Sequence, residues 1–317
     1  MKQQYIDELI DWFLDQPLSS TNVSNTALSR EEAYIDLAVI SSASVDREWT
    51  NSDRQTLMEQ KYLEFESIDI KDIWTNKDQV VAVMGVAGVG KSSLLQMYNL
   101  KWAKDEIYNL LENNIDFMFT FNCREINTLP NPHTLEDLLK AKYPKVFESI
   151  TMSDLESVAN RVMIIIDGLD ELQGMYQEGD KEKTPYLQLV LKILDPTQDV
   201  LKEHKTIVCG RHNAMEVVKR QFTRSQNIQM IEVCGFNRTM TEKYIKMFFK
   251  TNIEKAKNVL KAIRRSSNLE MMGSVPIFLW VICLIFDEDI NIQMHTMTEI
   301  YVYGFLAQLS KVTFIQG

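Results

Sequence analysis

Cysteine is scarce. The four present, Cys123, Cys209, Cys234 and Cys283, are scattered without C-x-x-C spacing. That excludes a zinc ribbon or a disulfide framework as the organising device and points to buried, reduced thiols in a cytoplasmic protein. Positive charge is in deficit as well: 34 Lys and Arg face 44 Asp and Glu, for a net charge of −10, so no broad basic surface is on offer and no nucleic-acid partner is expected. Long apolar runs are missing too. The longest, VPIFLWVICLIF at 275–286, has 12 residues, short of the roughly 18 that suggest a membrane span, and reads as a buried core helix. The opening MKQQYIDELIDWFL mixes acids into its apolar positions and lacks a small-residue cleavage site, unlike a secretory signal. No internal repeat appears, and no leucine-rich period. Within those exclusions, 317 residues suffice for a sizeable core and about two domains.

What is there begins at residue 79. QVVAVM at 79–84 is short, apolar and β-branched, like a buried parallel strand, and SSLLQMYNLKW at 92–102 has helical spacing. Between them lies GVAGVGKSS, in which Gly85, Gly90, Lys91 and Ser92 fit G-x-x-x-x-G-K-[ST]. In such a loop successive backbone N–H groups surround phosphate oxygens. Glycines at 85, 88 and 90 are expected to take positive φ and to let the backbone approach a polyphosphate without a Cβ in the way. The helix N-terminus lies under the anion. Gly85, Val86, Ala87, Gly88, Val89, Gly90, Lys91, Ser92 and Ser93 are therefore the candidate phosphate-binding residues, with Lys91 reaching the β- and γ-phosphates and Ser92 offering a hydroxyl to Mg²⁺.

RVMIIIDGLDELQG at 161–174 supplies a second strand, whose C-terminal end delivers Asp167 to the sheet edge where ligands bind in open α/β folds. A carboxylate there can hold Mg²⁺ through water, and Asp170 and Glu171 are suited to polarising an attacking water. KTIVCGR at 205–211 is a third: a strand inserted between the phosphate-loop strand and the acidic strand ends beside the γ-phosphate, and Arg211 stands at that end as a bidentate phosphate contact. His212 reads as a partly exposed loop histidine. DFMFTF at 116–121 and NIQMIEV at 227–233 are further strands in a strand–helix alternation that specifies a parallel sheet flanked by helices. Beyond Val233 the pattern is helical. AYIDLAVI at 33–40 looks extended, a helix is expected over 54–65, and EGDKEK at 178–183 reads as a solvated loop.

Taken in order, GVAGVGKSS, IIIDGLDELQG, IVCGR, CGFNRTMTEKYIKMFF, SVPIFLWVICLIF and TMTEIYVYGFL resemble the NACHT module of NOD-like receptors, which are signal-transducing ATPases. The resemblance spans roughly residues 34–309, and DGLDEL is its most specific element. It implies an ATP/ADP site with Mg²⁺: Gly85 to Ser93 on the phosphates, Ser92 and Asp167 on the metal, Asp170 or Glu171 on the water, Arg211 on the γ-phosphate, Pro276 against adenine, and Tyr34 and Ile35 covering the base. In the family the sensing strand usually ends in Thr or Ser before Arg, with Pro after it; here Gly210 and His212 flank Arg211.

The expected fold is α/β, a P-loop NTPase with a parallel five-stranded sheet followed by an all-α helical domain. The organisation implied is an N-terminal helix and polar linker over 1–29, a lead-in covering the site over 30–78, a nucleotide-binding domain over 79–234, a helical domain over 235–290 and the start of a winged-helix domain over 291–317, in a fragment or a reduced gene product. The leading function is a nucleotide-controlled conformational switch with slow hydrolysis, assembling with itself or with NACHT-containing partners in innate-immune or stress signalling. The alternatives are a turnover P-loop enzyme such as a small-molecule kinase and a non-hydrolysing nucleotide-binding scaffold.

Overall fold

A computed structural model describes residues 34–41, 80–104, 115–130, 132–176, 184–195, 201–221, 228–288, 298–300 and 302–303. The expected linker over 1–29, the helix over 54–65, the loop at 178–183 and most of 291–317 lie outside the described residues.

Four apolar strands with little polar interruption build the centre. These are β2 (Val80–Met84), β4 (Val162–Asp167), β5 (Lys205–Gly210) and the C-terminal half of β6 (Ile228–Gly235). Every residue of β2, β4 and β5 is buried, the pattern of parallel strands covered on two faces. With β3 (Phe117–Asn122) and β1 (Ala38–Ser41) they form a six-stranded sheet of order β1-β6-β2-β5-β4-β3. The five strands β2 to β6 are parallel, as the alternation of strand and helix requires. The sixth, β1, joins the edge antiparallel to β6, with Val39 opposite Val233 and a bulge between Ala38 and Val39. Its extended character was legible; its pairing was not, because four residues carry no partner information.

The sheet order brings three strand ends together. Met84 lies in register with Gly210 on one side and with Glu232 on the other, and Asn122 lies in register with Asp167. Each buried Ile or Val of these strands contributes about 1.5–3 kcal/mol relative to exposure, so the edge is held from below by Val81, Val83, Ile164, Ile165, Ile207 and Val208, all in the core. Helix α1 (Lys91–Ala103) follows β2 and is pinned at its far end by Trp102, whose indole Nε1 donates to the carbonyl of Ile115 at 2.9 Å. Short helices α2 (Cys123–Ile126), α3 (Leu135–Lys142), α4 (Pro144–Phe147) and α5 (Met152–Ser157) fill the β3–β4 connection. Helix α6 (Pro185–Leu194) precedes β5, and α7 (His212–Gln221) follows it.

After β6 the described chain is helical: α8 (Arg238–Phe248), α9 (Ile253–Arg265), α10 (Ser267–Gly273) and α11 (Pro276–Asp287). Asn237, Asn252 and Ser266 cap the first three by accepting from Met240, Lys255 and Leu269 N–H groups. The apolar run at 275–286 becomes α11, with Leu279, Ile282, Cys283, Leu284 and Ile285 buried. Among the described residues no single helix is long and apolar enough to cross a membrane; α10 and α11 pass that test only as a pair, and they are bent by 118° at their break. The helices dock on the sheet at one tight point. Phe236 N–H donates to the Ser274 carbonyl at 2.7 Å, and a Cβ on Gly235 (φ 94°) would lie 2.3 Å from that same oxygen.

Candidate functional site

The loop between β2 and α1 turns on two left-handed glycines, Gly88 (φ 76°) and Gly90 (φ 102°). Gly85 departs from the expectation of positive φ. It is buried, and a Cβ there would meet the Val233 carbonyl oxygen at 2.8 Å and Val89 at 3.0 Å; its missing side chain serves packing of the loop on β6. Helix α1 starts with no side-chain cap and no acid in its first turn. Its first N–H groups and the positive end of its dipole are therefore left for an anion. Lys91 folds back over the loop, with Nζ donating to the carbonyls of Gly85 at 2.8 Å and Val86 at 2.9 Å. Val86, Ala87, Gly88 and Ser92 are exposed, while Val89 is in the core.

Beneath the loop lies Asp167, only 8% exposed. Desolvation pushes its carboxyl above the usual range; hydrogen bonds from Ser92 and Cys209 and the charge of Lys91 oppose that push, and Glu171 adds to it. A desolvated carboxylate beside a serine hydroxyl is the oxygen donor set that fits Mg²⁺, which binds through one or two protein ligands, substrate phosphates and retained waters. Among the described residues no group of three or more His, Cys, Asp or Glu side chains forms a metal centre by itself.

Gly168 (φ 77°) turns the chain into a short 3₁₀ segment, Leu169–Glu171, which separates the two further carboxylates. Asp170 grips Arg211 twice: Oδ1 accepts from the Arg211 backbone N–H at 3.0 Å, and Oδ2 lies 3.0 Å from Nε. Glu171 is engaged from the other side by Arg124 of α2, through Nη2 to Oε1 at 2.7 Å and Nε to Oε2 at 2.5 Å. Asn127 braces the same turn, donating to the Glu171 carbonyl and accepting from Gln173 N–H, both at 2.9 Å.

Sequence reasoning did not single out Arg124 or Asn127. The signal was present in NCRE following an apolar strand, but only the β3–β4 register shows that this segment ends beside Asp167. It did not identify the role of His212 either. That residue is not in a loop: it opens α7, its side chain is 17% exposed, and Nε2 lies 2.9 Å from Oε1 of Glu232.

The remaining predicted contacts divide. Pro276 is the first residue of α11, and its neighbour Ile277 reaches the loop: Ile277 N–H donates to the Gly88 carbonyl at 3.4 Å, and a Cβ on Gly88 would lie 2.3 Å from Ile277 Cγ2. The segment before β1 also reaches the loop, through Leu37, whose Cδ1 lies 2.8 Å from a Cβ built on Gly90. Ile35 is a core residue and Tyr34 is partly buried against the same core.

A family model of the NACHT domain matches residues 79–252, more than half of the sequence. Human NACHT, LRR and PYD domains-containing protein 12 is 27% identical over 220 residues, 67% of this chain and 20% of that protein. Bovine NACHT, LRR and PYD domains-containing protein 3 is 23% identical over 261 residues, 77% of this chain and 24% of that protein; the mouse protein 3 is 25% identical over 239 residues, 74% and 21%. The chain thus spans about a fifth to a quarter of the length of these relatives. Among solved structures, the Walker-type ATPase PABY2304 of Pyrococcus abyssi aligns with a TM-score of 0.40 and 14% identity over 67% of this chain and 63% of that one. The family match runs from the phosphate loop through Asp167 and Arg211 to the first helix beyond the sheet, and the chain accordingly belongs to the NACHT domain family.

Proposed function

We propose that this chain is an ATP- and ADP-binding switch module with slow, Mg²⁺-dependent hydrolysis. The observation that carries the reading is the uncapped N-terminus of α1 under a glycine loop, with Lys91 above it and the Ser92–Asp167 hydrogen bond below. Backbone N–H groups of residues 85–93 hold the phosphates, and Lys91 exchanges its two carbonyl partners for phosphate oxygens. Ser92 and Asp167 hold Mg²⁺, which when bound neutralises charge developing on the phosphates. Glu171 or Asp170 orients the water, and Arg211 contacts the γ-phosphate. Pro276 and the segment at Tyr34 and Ile35 flank the base. The division into a nucleotide-binding domain over 79–234 and a helical domain over 235–290 belongs to the same reading, with the contacts of Gly88 to Ile277 and Gly235 to Ser274 as the seam along which the two respond to nucleotide.

The pairing of both candidate water-orienting carboxylates with arginines favours a slow reset over rapid turnover, since neither is free to take a proton. Self-assembly, NACHT-containing partners, a cytoplasmic location and a place in innate-immune signalling belong to the same proposal and follow from the resemblance to NOD-like receptors. Two measurements test the reading. The nucleotide retained through purification should be ADP. Steady-state hydrolysis should lie far below the roughly 1–100 per second of a kinase; turnover in that range on addition of an acceptor would favour the enzyme reading instead.

A further inference from the structure

The contact between the His212 and Glu232 side chains lies outside every role assigned above. Glu232 is on β6 and its side chain is 9% exposed; a carboxylate so buried is costly unless it is paired. Its partner is His212, at 2.9 Å, the residue that follows Arg211. The two strand ends involved are not neighbours. Gly210 and Glu232 flank Met84 on opposite sides, which puts them two strand spacings apart, about 10 Å. The histidine and glutamate side chains therefore bridge the end of β2 at the point where the phosphate loop departs. On the opposite side Asp170 holds the Arg211 backbone N–H and its Nε. The dipeptide Arg211–His212 is thus tied at both ends, to the turn after β4 and to β6, across the base of the loop.

We propose that His212 is a positioning residue: the strut to Glu232 fixes the start of α7 so that Arg211 is presented at the γ-phosphate, and the preference for ATP over ADP depends on it. This rests on the nucleotide reading above and names how that site tells its two ligands apart. An apolar pair of similar volume would hold the sheet edge as well as a buried hydrogen-bonded pair does; what a directional 2.9 Å hydrogen bond adds is the orientation of the neighbouring residue. The arginine itself is 58% exposed and relies on such anchors, since a free guanidinium has many rotamers to lose.

Binding of ATP and of ADP to the full chain, with Mg²⁺, tests this by calorimetry. His212→Ala alone leaves Glu232 buried without a partner and is expected to destabilise the fold, so the working variant is the double H212A/E232A, with H212Q, which keeps an N–H donor, as the rescue. The double variant should bind ADP within about twofold of the parent and ATP about fivefold or more weakly, while H212Q stays near the parent. In an R211A background the double substitution should change ATP binding no further. An unchanged ATP-to-ADP ratio, a parallel loss of both affinities, or a loss that adds fully to that of R211A overturns the role of the pair. Failure of the parent chain to bind either nucleotide overturns the site reading and this role together, and is distinguishable from the other results.

Discussion

At the residue scale, the site is a set of charges held apart by partners they would have to give up. Asp167 is the clearest case, because desolvation raises its carboxyl above the ordinary range. For a group whose folded value lies above the unfolded one of about 3.9, the cost of ionisation is absent below the unfolded value and grows as pH rises above it. Asp167→Asn should therefore raise the melting temperature of the nucleotide-free protein by a few degrees at pH 7, with no gain at pH 3, and should weaken Mg²⁺-dependent nucleotide binding. A thermal melt at the two pH values checks the first part, and a lower melting temperature for the variant at pH 7 would contradict it. Asp170 and Glu171, adjacent in sequence, have separate fates in the structure. Asp170 braces Arg211, so Asp170→Ala should lower ATP affinity relative to ADP. Glu171→Ala should spare both affinities and slow single-turnover hydrolysis, because the attacking water loses the group that orients it. Equal effects of the two substitutions on both quantities would remove that distinction.

At the element scale, the fold was legible where one strand carried its own signal. Val80–Met84, Val162–Asp167 and Lys205–Gly210 are largely apolar and rich in β-branched residues, with a glycine or aspartate at the last position or just after it, and all three occur within a residue of where the pattern puts them. Partnership between elements was not legible. The antiparallel addition of β1, the approach of Arg124 to Glu171 over a separation of 47 residues and the reach of His212 to Glu232 depend on sheet order, which periodicity does not encode. Glycine was misread at one position for the same reason: Gly85 serves close packing on Val233, a neighbour known only once β6 lies beside β2. The contact between α11 and the loop is the element-scale consequence that matters most. Gly88→Ala combines a strained φ with a 2.3 Å clash against Ile277 and should cost about 1–3 kcal/mol. It should also increase protease sensitivity between 236 and 276, as the helices lose their seat. Native resistance to proteolysis with reduced stability would place the whole effect in the loop.

At the scale of the whole molecule, a largely apolar parallel sheet serves as a rigid frame whose C-terminal edge gathers residues from five segments: the loop after β2, the turn after β4, the ends of β3 and β5, and the start of α11. The central claim is that this edge binds nucleotide phosphates through the loop and Lys91. Lys91 is partly exposed and its partners are two carbonyls of its own loop, so replacing it should leave the fold intact. The most direct test is a calorimetric titration of ATP and ADP into the parent chain and into Lys91→Ala, with circular dichroism of both. The expected result is binding of both nucleotides by the parent and a loss of about tenfold to a hundredfold in the variant, the range for a hydrogen bond to a charged group, with the spectrum unchanged. Undiminished affinity in a natively folded Lys91→Ala chain would contradict the phosphate-loop assignment.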